Sequence, residues 1–275
     1  MDISAHAIFF EQEMKRRNFS IQTIENYSSC LKKFFSQSKS DHPKNIHEKE
    51  IREFLGTFDE PNTQRGYHSA IKKFYEVCMN QKDKFRYIPY AKKSNKLPIV
   101  LSVDEIQAMF NMCENLKHKV ILGILYSCGL RVSELINLKW SHIDRGRMII
   151  NIIQAKGAKD RQVALPQSLI PLLEKYFFKY NPKVYVLNGQ NFPQYDERSV
   201  GNVIKQLATK AGIKKRVYTH LIRHCTFTHL VELGTDINLI QKIAGHSNVK
   251  TTNIYCHISD NLISKIQSPL NNIKL

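Results

Sequence analysis

Acidic residues are scarce in this sequence, and so are several features that would assign it to other classes. Only 24 Asp and Glu face 41 Lys and Arg, so the 275-residue chain carries a net charge of +17. Its six cysteines (Cys30, Cys78, Cys113, Cys128, Cys225, Cys256) are scattered, with no C-x-x-C pair. That argues against a structural zinc site or a secreted disulfide framework, and fits reduced thiols in a cytosol. The N-terminus has no basic n-region followed by an apolar run, as a secretory leader would. The longest apolar stretch, around Val120 to Leu130, is too short to span a bilayer and is interrupted by Ser127 and Gly129. There is no internal repeat and no low-complexity tract. These absences leave an intracellular, non-membrane globular protein, and a cytoplasmic, nucleoid-associated location is expected.

The positive charge is spread along the chain. Residues 1–98 hold 18 basic against 12 acidic side chains, and residues 99–275 hold 23 against 12. An excess of this size attracts polyanions at long range, and nucleic acid is the commonest polyanion in a cell. Since neither end is a charged tail, a protein that surrounds its partner fits better than one with a sticky arm.

The hydrophobic pattern divides the chain. Ile8 to Met14, then Ile21, Ile24, Tyr27, Leu31, Phe34 and Phe35 behind the N-cap candidate Ser20, have helical spacing. So do Ile51 to Phe58, and Tyr67 to Cys78 after Pro61. These predict a small helical bundle over residues 1–85, whose aromatic residues lie on the apolar face and form its core. Residues 86–98, with two prolines and three lysines, read as an extended basic linker. A second domain, 99–275, opens with Ser102 and Glu105 in capping-box spacing. Helices are expected over 102–115, 117–128 and 132–140, with Gly129 as a C-cap. Two strands, 148–153 and 162–165, flank a basic hairpin, and helices return at 168–180, 199–211, 220–233 and 236–244. The fold class is mainly α with a small β-sheet: a helical bundle followed by an α+β domain.

The second domain also holds a set of residues suited to one reaction. Breaking a phosphodiester without metal or nucleotide needs a nucleophile, cationic groups for the phosphorane-like transition state, and an acid for the leaving 5′-oxygen. Arg131 follows the Gly129 break and Glu134 lies one turn later. Lys156 sits beside Gly157 at the hairpin tip. His220 and Arg223 stand one helical turn apart, Gly245-His246 follows a helix end, and Tyr255 comes nine residues on. Arginines suit phosphate oxygens because they are permanently charged and donate in a fork.

The order Arg131, Lys156, His220-x-x-Arg223, His246, Tyr255 resembles the catalytic signature of the tyrosine recombinase (phage integrase) family. The segments 219–230 and 234–255 resemble its second conserved block, and the N-terminal bundle, with Ser20, Thr23, Tyr27 and Phe34, resembles its SAM-like core-binding domain. The resemblance thus covers essentially the whole chain, and it is closest to Xer-like or simple integrase types. It implies that Arg131 and Arg223 clamp the scissile phosphate and that Tyr255 attacks it to give a 3′-phosphotyrosine. Lys156 would protonate the 5′-oxygen, His220 would assist proton handling, and His246 would bond a non-bridging oxygen. Glu134 would hold an arginine in place, since a carboxylate aimed at phosphate would repel it. Two departures stand beside the signature: Cys225, where a small hydroxyl residue is common, and Cys256, directly after the nucleophile.

Lys159, Arg161, Lys250, Thr251, Thr252, Lys92 and Lys93 are candidate DNA contacts, and base reading is expected from the bundle helices and the 199–211 region. The partner is a double-stranded DNA recombination site, gripped in a clamp of both domains, with no metal and no cofactor. Four subunits would exchange strands through a Holliday junction, with a C-terminal tail (Leu262, Ile263, Ile266, Leu270) docking on a neighbour and accessory proteins possible. Mobile-element integration or excision and Xer-type dimer resolution both fit. The competing readings are a type IB topoisomerase-like nicking-closing enzyme and a DNA-binding regulator that has lost catalysis. The second would be expected to lack a catalytic position, and none is missing.

Overall fold

The computed structural model describes residues 3–40, 42–92, 99–153, 160–189, 192–246 and 248–258. The chain divides into two compact units, Met1–Lys96 and Leu97–Leu275.

The first unit is a four-helix bundle: α1 (Ile3–Arg16), α2 (Ile21–Gln37), α3 (Glu48–Gly56) and α4 (Pro61–Cys78). Ser20 caps α2 as its sequence suggests, its hydroxyl accepting from the Thr23 amide at 3.2 Å. Pro61 opens α4 at a position whose N–H would have no helical partner anyway. The core is aromatic: Phe34 meets Phe54 with ring centroids 5.0 Å apart and Phe35 meets Phe74 at 5.0 Å. Tyr75 is fully buried and satisfies its hydroxyl on the Pro43 carbonyl at 2.7 Å. Residues 86–92, read from sequence as linker, lie against this bundle. Ile88 is buried, and Arg52, Arg65 and His68 bond the carbonyls of Tyr87, Ala91 and Ile88. The physical reason is that Ile88 and Tyr90 supply apolar surface the bundle can cover, which outweighs the extended bias of Pro89. The remainder of the expected linker, 93–98, lies outside the described residues.

The second unit is built around α6 (Leu116–Cys128), whose Val120, Ile121, Leu122, Ile124 and Leu125 are all fully buried. α5 (Val103–Asn111) precedes it behind the Ser102–Glu105 capping box. Gly129 ends α6 in the left-handed region, φ +57°. A Cβ there would stand 2.7 Å from the Phe227 ring, so both conformation and space require glycine. α7 (Val132–Ile136) is shorter than the 132–140 expected. Leu138 drops into the core, and the backbone leaves the helix to pair with 184–186 through Trp140 N–Val184 O and Val186 N–Leu138 O.

The sheet is antiparallel in the order β1 (Ile143–Asp144), β2 (Ile149–Ile152), β3 (Arg161–Ala164). Ile152 pairs with Arg161 in the last rung of the β2–β3 ladder before the connection between the two strands. The two-residue β1 is too short for alternation to reveal it in sequence. Helices α8 (Ile170–Tyr180), α9 (Glu197–Lys210), α10 (Thr219–Glu232), α11 (Ile237–Ala244) and α12 (Val249–Ile258) complete the unit. No helix among the described residues is long and apolar enough to cross a membrane.

α10 anchors the start of this unit. The Leu101 amide donates to Cys225 Sγ at 3.3 Å, and the Leu101 carbonyl accepts from His229 Nε2 at 3.0 Å. His229 Nδ1 then accepts from the Tyr126 hydroxyl at 2.9 Å. Burial pushes the Cys225 thiol up to about 11, which keeps it protonated at neutral pH.

Candidate active site

Two chain reversals and one helix place the site. The Gly129 cap turns the chain so that Arg131 becomes the N-cap of α7, with Leu130 buried beneath it as an anchor. α10 presents His220, Arg223, His224 and Phe227 along one side. Gly245, φ +64°, ends α11 and delivers His246.

Arg223 is the centre. Its side chain is 1% exposed, and it donates from Nη1 to the Gly129 carbonyl and from Nη2 to the Ala244 carbonyl, each at 2.5 Å. Its guanidinium lies 4.8 Å over the Phe227 ring, and its Nε has no hydrogen-bond partner among the described residues. Burial, with Arg131 close by, lowers its pKa to about 10, so it remains charged at neutral pH. A buried guanidinium with a spare donor is a cation in search of an anion.

Arg131 reaches the same carbonyl, its Nη2 lying 3.5 Å from Ala244 O. Glu134 accepts from Arg131 Nη1 at 2.7 Å and from the Arg131 amide at 2.8 Å. The carboxylate is shared: Arg161 Nη1 and Nη2 grip its two oxygens at 2.6 and 2.7 Å, and Arg161 Nε donates to Ile243 O at 2.8 Å. Burial alone would raise the Glu134 pKa, but these bonds hold it at about 2.

His246 contacts both sides of the cluster. Its Nε2 lies 3.4 Å from Arg223 Nη2 and its Nδ1 lies 3.0 Å from Thr252 Oγ1. Burial, then Arg223 and Arg131, lower its pKa to about 4, so the ring is neutral. A guanidinium can only donate, which leaves the lone pair on Nε2 and the proton on Nδ1, pointing to Thr252. Tyr255, one helical turn beyond Thr252 on α12, is 1% exposed and packs 5.5 Å from Phe227, 5.6 Å from His224 and 6.2 Å from His246. Burial raises its phenol pKa while Arg223 and Arg131 pull it down. His220 is exposed, 4.6 Å from the His224 ring; desolvation, then Arg223 and Arg131, lower its pKa.

The fold therefore brings together Arg131, Glu134, His220, Arg223, His246 and Tyr255. Lys156, Lys159 and Lys93 lie outside the described residues, as do the C-terminal tail beyond Ile258 and the side chain of Lys250. Lys92 and Thr251 are exposed. Two candidate DNA contacts face inward in this structure. The Arg161 side chain is 6% exposed with its guanidinium committed to Glu134 and Ile243, and Thr252 is fully buried against His246. Charge and a Lys-Thr-Thr text suggested surface contacts, but strand alternation and helix phase turn both side chains inward. The sequence reading also missed the Ala244 carbonyl and the Phe227 floor. A backbone acceptor carries no residue signature, and Phe227 could have been found by its i, i+4 relation to Arg223.

A family model for the phage integrase family matches residues 100–261, and one for the phage integrase N-terminal SAM-like domain matches residues 9–84. The chain belongs to the phage integrase family. A tyrosine recombinase of Thermosipho africanus is 32% identical over 261 residues, covering 89% of this chain and 91% of that protein. The crystal structure of the XerA recombinase is similar at 27% identity and TM-score 0.57, covering 95% of this chain and 96% of that one. A lambda integrase tetramer bound to a Holliday junction shares the fold, with TM-score 0.79 at 16% identity, over 93% of this chain and 77% of that one. The chain is accordingly an enzyme of the tyrosine recombinase type, a mainly α protein with a SAM-like N-terminal unit. These relationships favour neither a topoisomerase nor a silent regulator.

Proposed function

We propose that this tyrosine recombinase breaks and rejoins double-stranded DNA with Tyr255 as nucleophile, Arg131 and Arg223 as phosphate clamp and His246 as a further donor. The observation that carries the reading is the convergence of both guanidiniums on the Ala244 carbonyl, with His246 against the same buried cation and the Tyr255 ring stacked on His246. Tyr255 Oη bonds to phosphorus while the bond from phosphorus to the 5′-oxygen breaks. The phenolic proton leaves towards His220, and Lys156 supplies a proton to the 5′-oxygen. The phosphotyrosine ester conserves the bond for religation, so no external energy source is needed.

Two consequences follow from the DNA-free geometry. Tyr255 is buried, so α12 has to shift for its hydroxyl to meet phosphorus. The scissile phosphate replaces backbone carbonyls as the acceptor for Arg223, which is why that cation can be held buried without a carboxylate of its own. His246 then needs its proton on Nε2 to donate to phosphate, and Thr252 permits this because a hydroxyl can donate to Nδ1 as readily as accept from it.

The charge on both units supports a grip on duplex DNA by both, with Lys92, Lys93, Lys159, Lys250 and Thr251 as phosphate contacts and a salt-sensitive affinity. By analogy with the integrase tetramer on a Holliday junction, four copies would act together, with the segment from Asp260 onward joining neighbours. The test incubates wild type and Tyr255→Phe with nicked duplexes from DNA flanking the gene, without metal, followed by a denaturing gel. A covalent adduct formed only with Tyr255 is the expected result; an adduct that survives Tyr255→Phe refutes the assignment.

A further inference from the structure

Glu134 raises a difficulty for the clamp. A carboxylate bonded at 2.7 Å to Arg131 would cancel much of that arginine's attraction for phosphate and repel the phosphate itself. The second arginine on Glu134 removes the difficulty. We propose that Arg161 is a positioning residue that neutralises Glu134, leaving the charge of Arg131 available to the scissile phosphate. The proposal rests on the reading of Arg131 and Arg223 as the clamp.

Charge balance, burial and geometry support it. The cluster of Arg131, Glu134 and Arg161 contains two cations and one anion, so it carries a net positive charge. Its most buried cation is Arg161, at 6% side-chain exposure, while Arg131 is 23% exposed and retains donors not used by Glu134. Arg161 takes both carboxylate oxygens in a fork, whereas Arg131 takes one through its side chain, so the stronger pairing belongs to the arginine that cannot reach solvent. Finally, Arg161 Nε bonds Ile243 O, one residue before the Ala244 carbonyl that receives both clamp arginines. The Arg161 stem also fills the space beside Gly245, where a Cβ would come within 3.0 Å of its Cδ, so the stem sets the floor under the turn that delivers His246. Arg161 is the residue of β3 registered against Ile152, the pair nearest the connection between the strands, so that end of the ladder is tied to the clamp by the same side chain.

A direct DNA contact and a merely structural ion pair are the rival roles, and a charge-balance experiment separates all three. Single-turnover adduct formation at saturating nicked duplex is measured for wild type, R161Q, R161K, E134Q and R161Q/E134Q, each checked for folding by thermal melting. On the proposal R161Q slows adduct formation about 10–100-fold, the range for residues that orient a reacting group through another. Adding E134Q restores at least a tenfold share of that loss, although it adds no contact, because it removes the stranded carboxylate. R161K, which keeps the charge without the fork, falls between wild type and R161Q. Should R161Q fail to fold, the comparison of R161Q/E134Q with E134Q alone decides: the two rates agree within about threefold if Arg161 acts through Glu134.

A double variant far slower than E134Q overturns the proposal. So does an R161Q protein whose DNA affinity loses about one unit of salt slope, as a phosphate contact would. If wild type forms no adduct, or Arg131→Ala forms it at the wild-type rate, the underlying clamp reading fails instead.

Discussion

The bundle core around Phe74 and the cluster around Arg223 are equally dry, yet they are built on opposite principles. In the bundle, Phe10, Phe34 and Phe74 are at most 1% exposed and the buried Tyr75 hydroxyl has its partner. Such side chains each contribute about 1.5–3 kcal/mol by leaving water, and the contribution scales with area. Around Arg223 the small apolar set of Phe227, Val231, Ile240, Ala244 and Tyr255 encloses a charge, and Arg223 Nε and His224 Nδ1 are left without partners among the described residues. Burial there holds groups away from their ordinary protonation. The first region supplies stability and the second stores reactivity, so substitutions should separate the two.

The sharpest separation pairs Phe74→Ala with Tyr255→Phe. Emptying the Phe74 site should cost about 3–5 kcal/mol in urea unfolding, since the bundle cannot collapse around a missing ring. Removing the Tyr255 hydroxyl keeps the ring against Phe227 and His224 and should leave stability within roughly 1 kcal/mol, while reducing covalent adduct to background. Comparable destabilisation by both would break the contrast drawn here.

Arg223→Lys comes next and should do some of each. An ammonium cannot reach Gly129 O and Ala244 O together, so one buried carbonyl is stranded at about 1–3 kcal/mol. The forked donor to phosphate is lost as well, which should slow adduct formation about 10²–10³-fold. Urea titration and single-turnover cleavage on the same preparation measure the two losses. A stable but inactive Lys variant would mean the carbonyl bonds matter little to the fold.

What could be read without coordinates divides along the same line. The bundle was legible because helical periodicity, the Ser20 cap and the Pro61 start all report local physics; Ile24, Leu31, Phe34, Ile51 and Phe74 among the positions they marked are buried, while Ile8 and Ile21 stand exposed. The residues gathered around Arg223 stand in the sequence as an ordered set, Arg131, His220, Arg223, His246 and Tyr255, whose types suit a phosphate reaction and whose order carries the family resemblance. What stayed hidden was direction. Arg161 and Thr252 face inward, a property set by strand register and helix phase: Arg161 meets Glu134 and Ile243, 27 and 82 residues away, and Thr252 meets His246, six residues earlier. Residues 86–92 likewise lie on the bundle because of distant contacts with Arg52, Arg65 and His68, which composition does not reveal.

Thr252→Val tests one of those hidden directions. Valine fills the same volume but neither accepts from nor donates to His246 Nδ1, so the imidazole loses the partner that lets it change tautomer. Adduct formation should fall roughly 10–100-fold, with DNA affinity unchanged and Thr252→Ser restoring most of the rate. If valine weakens DNA binding while cleavage at saturating DNA is normal, Thr252 is a surface contact after all and its inward geometry belongs only to the DNA-free state.

The smallest effect expected is on pH dependence, and it again distinguishes the regions. Burial, followed by neighbouring charges, depresses His224 and His246 to about 4, against an ordinary value of 6.5. The unfolded chain therefore binds their protons first. Stability they contribute is fully present above pH 6.5 and declines as pH falls towards 4, on the order of 2 kcal/mol in sum once partial exposure is allowed for. Glu134, held at about 2 against 4.5, adds a second loss only below pH 4.5. The single tryptophan, Trp140, lies in the second unit and reports its unfolding by fluorescence without interference from the bundle. Urea midpoints followed at Trp140 should drop between pH 7 and 5, and His224→Phe should flatten about half of that drop. A midpoint that is constant down to pH 5 would mean that the two imidazoles are solvated in the free protein and that the cluster around Arg223 is open before DNA arrives.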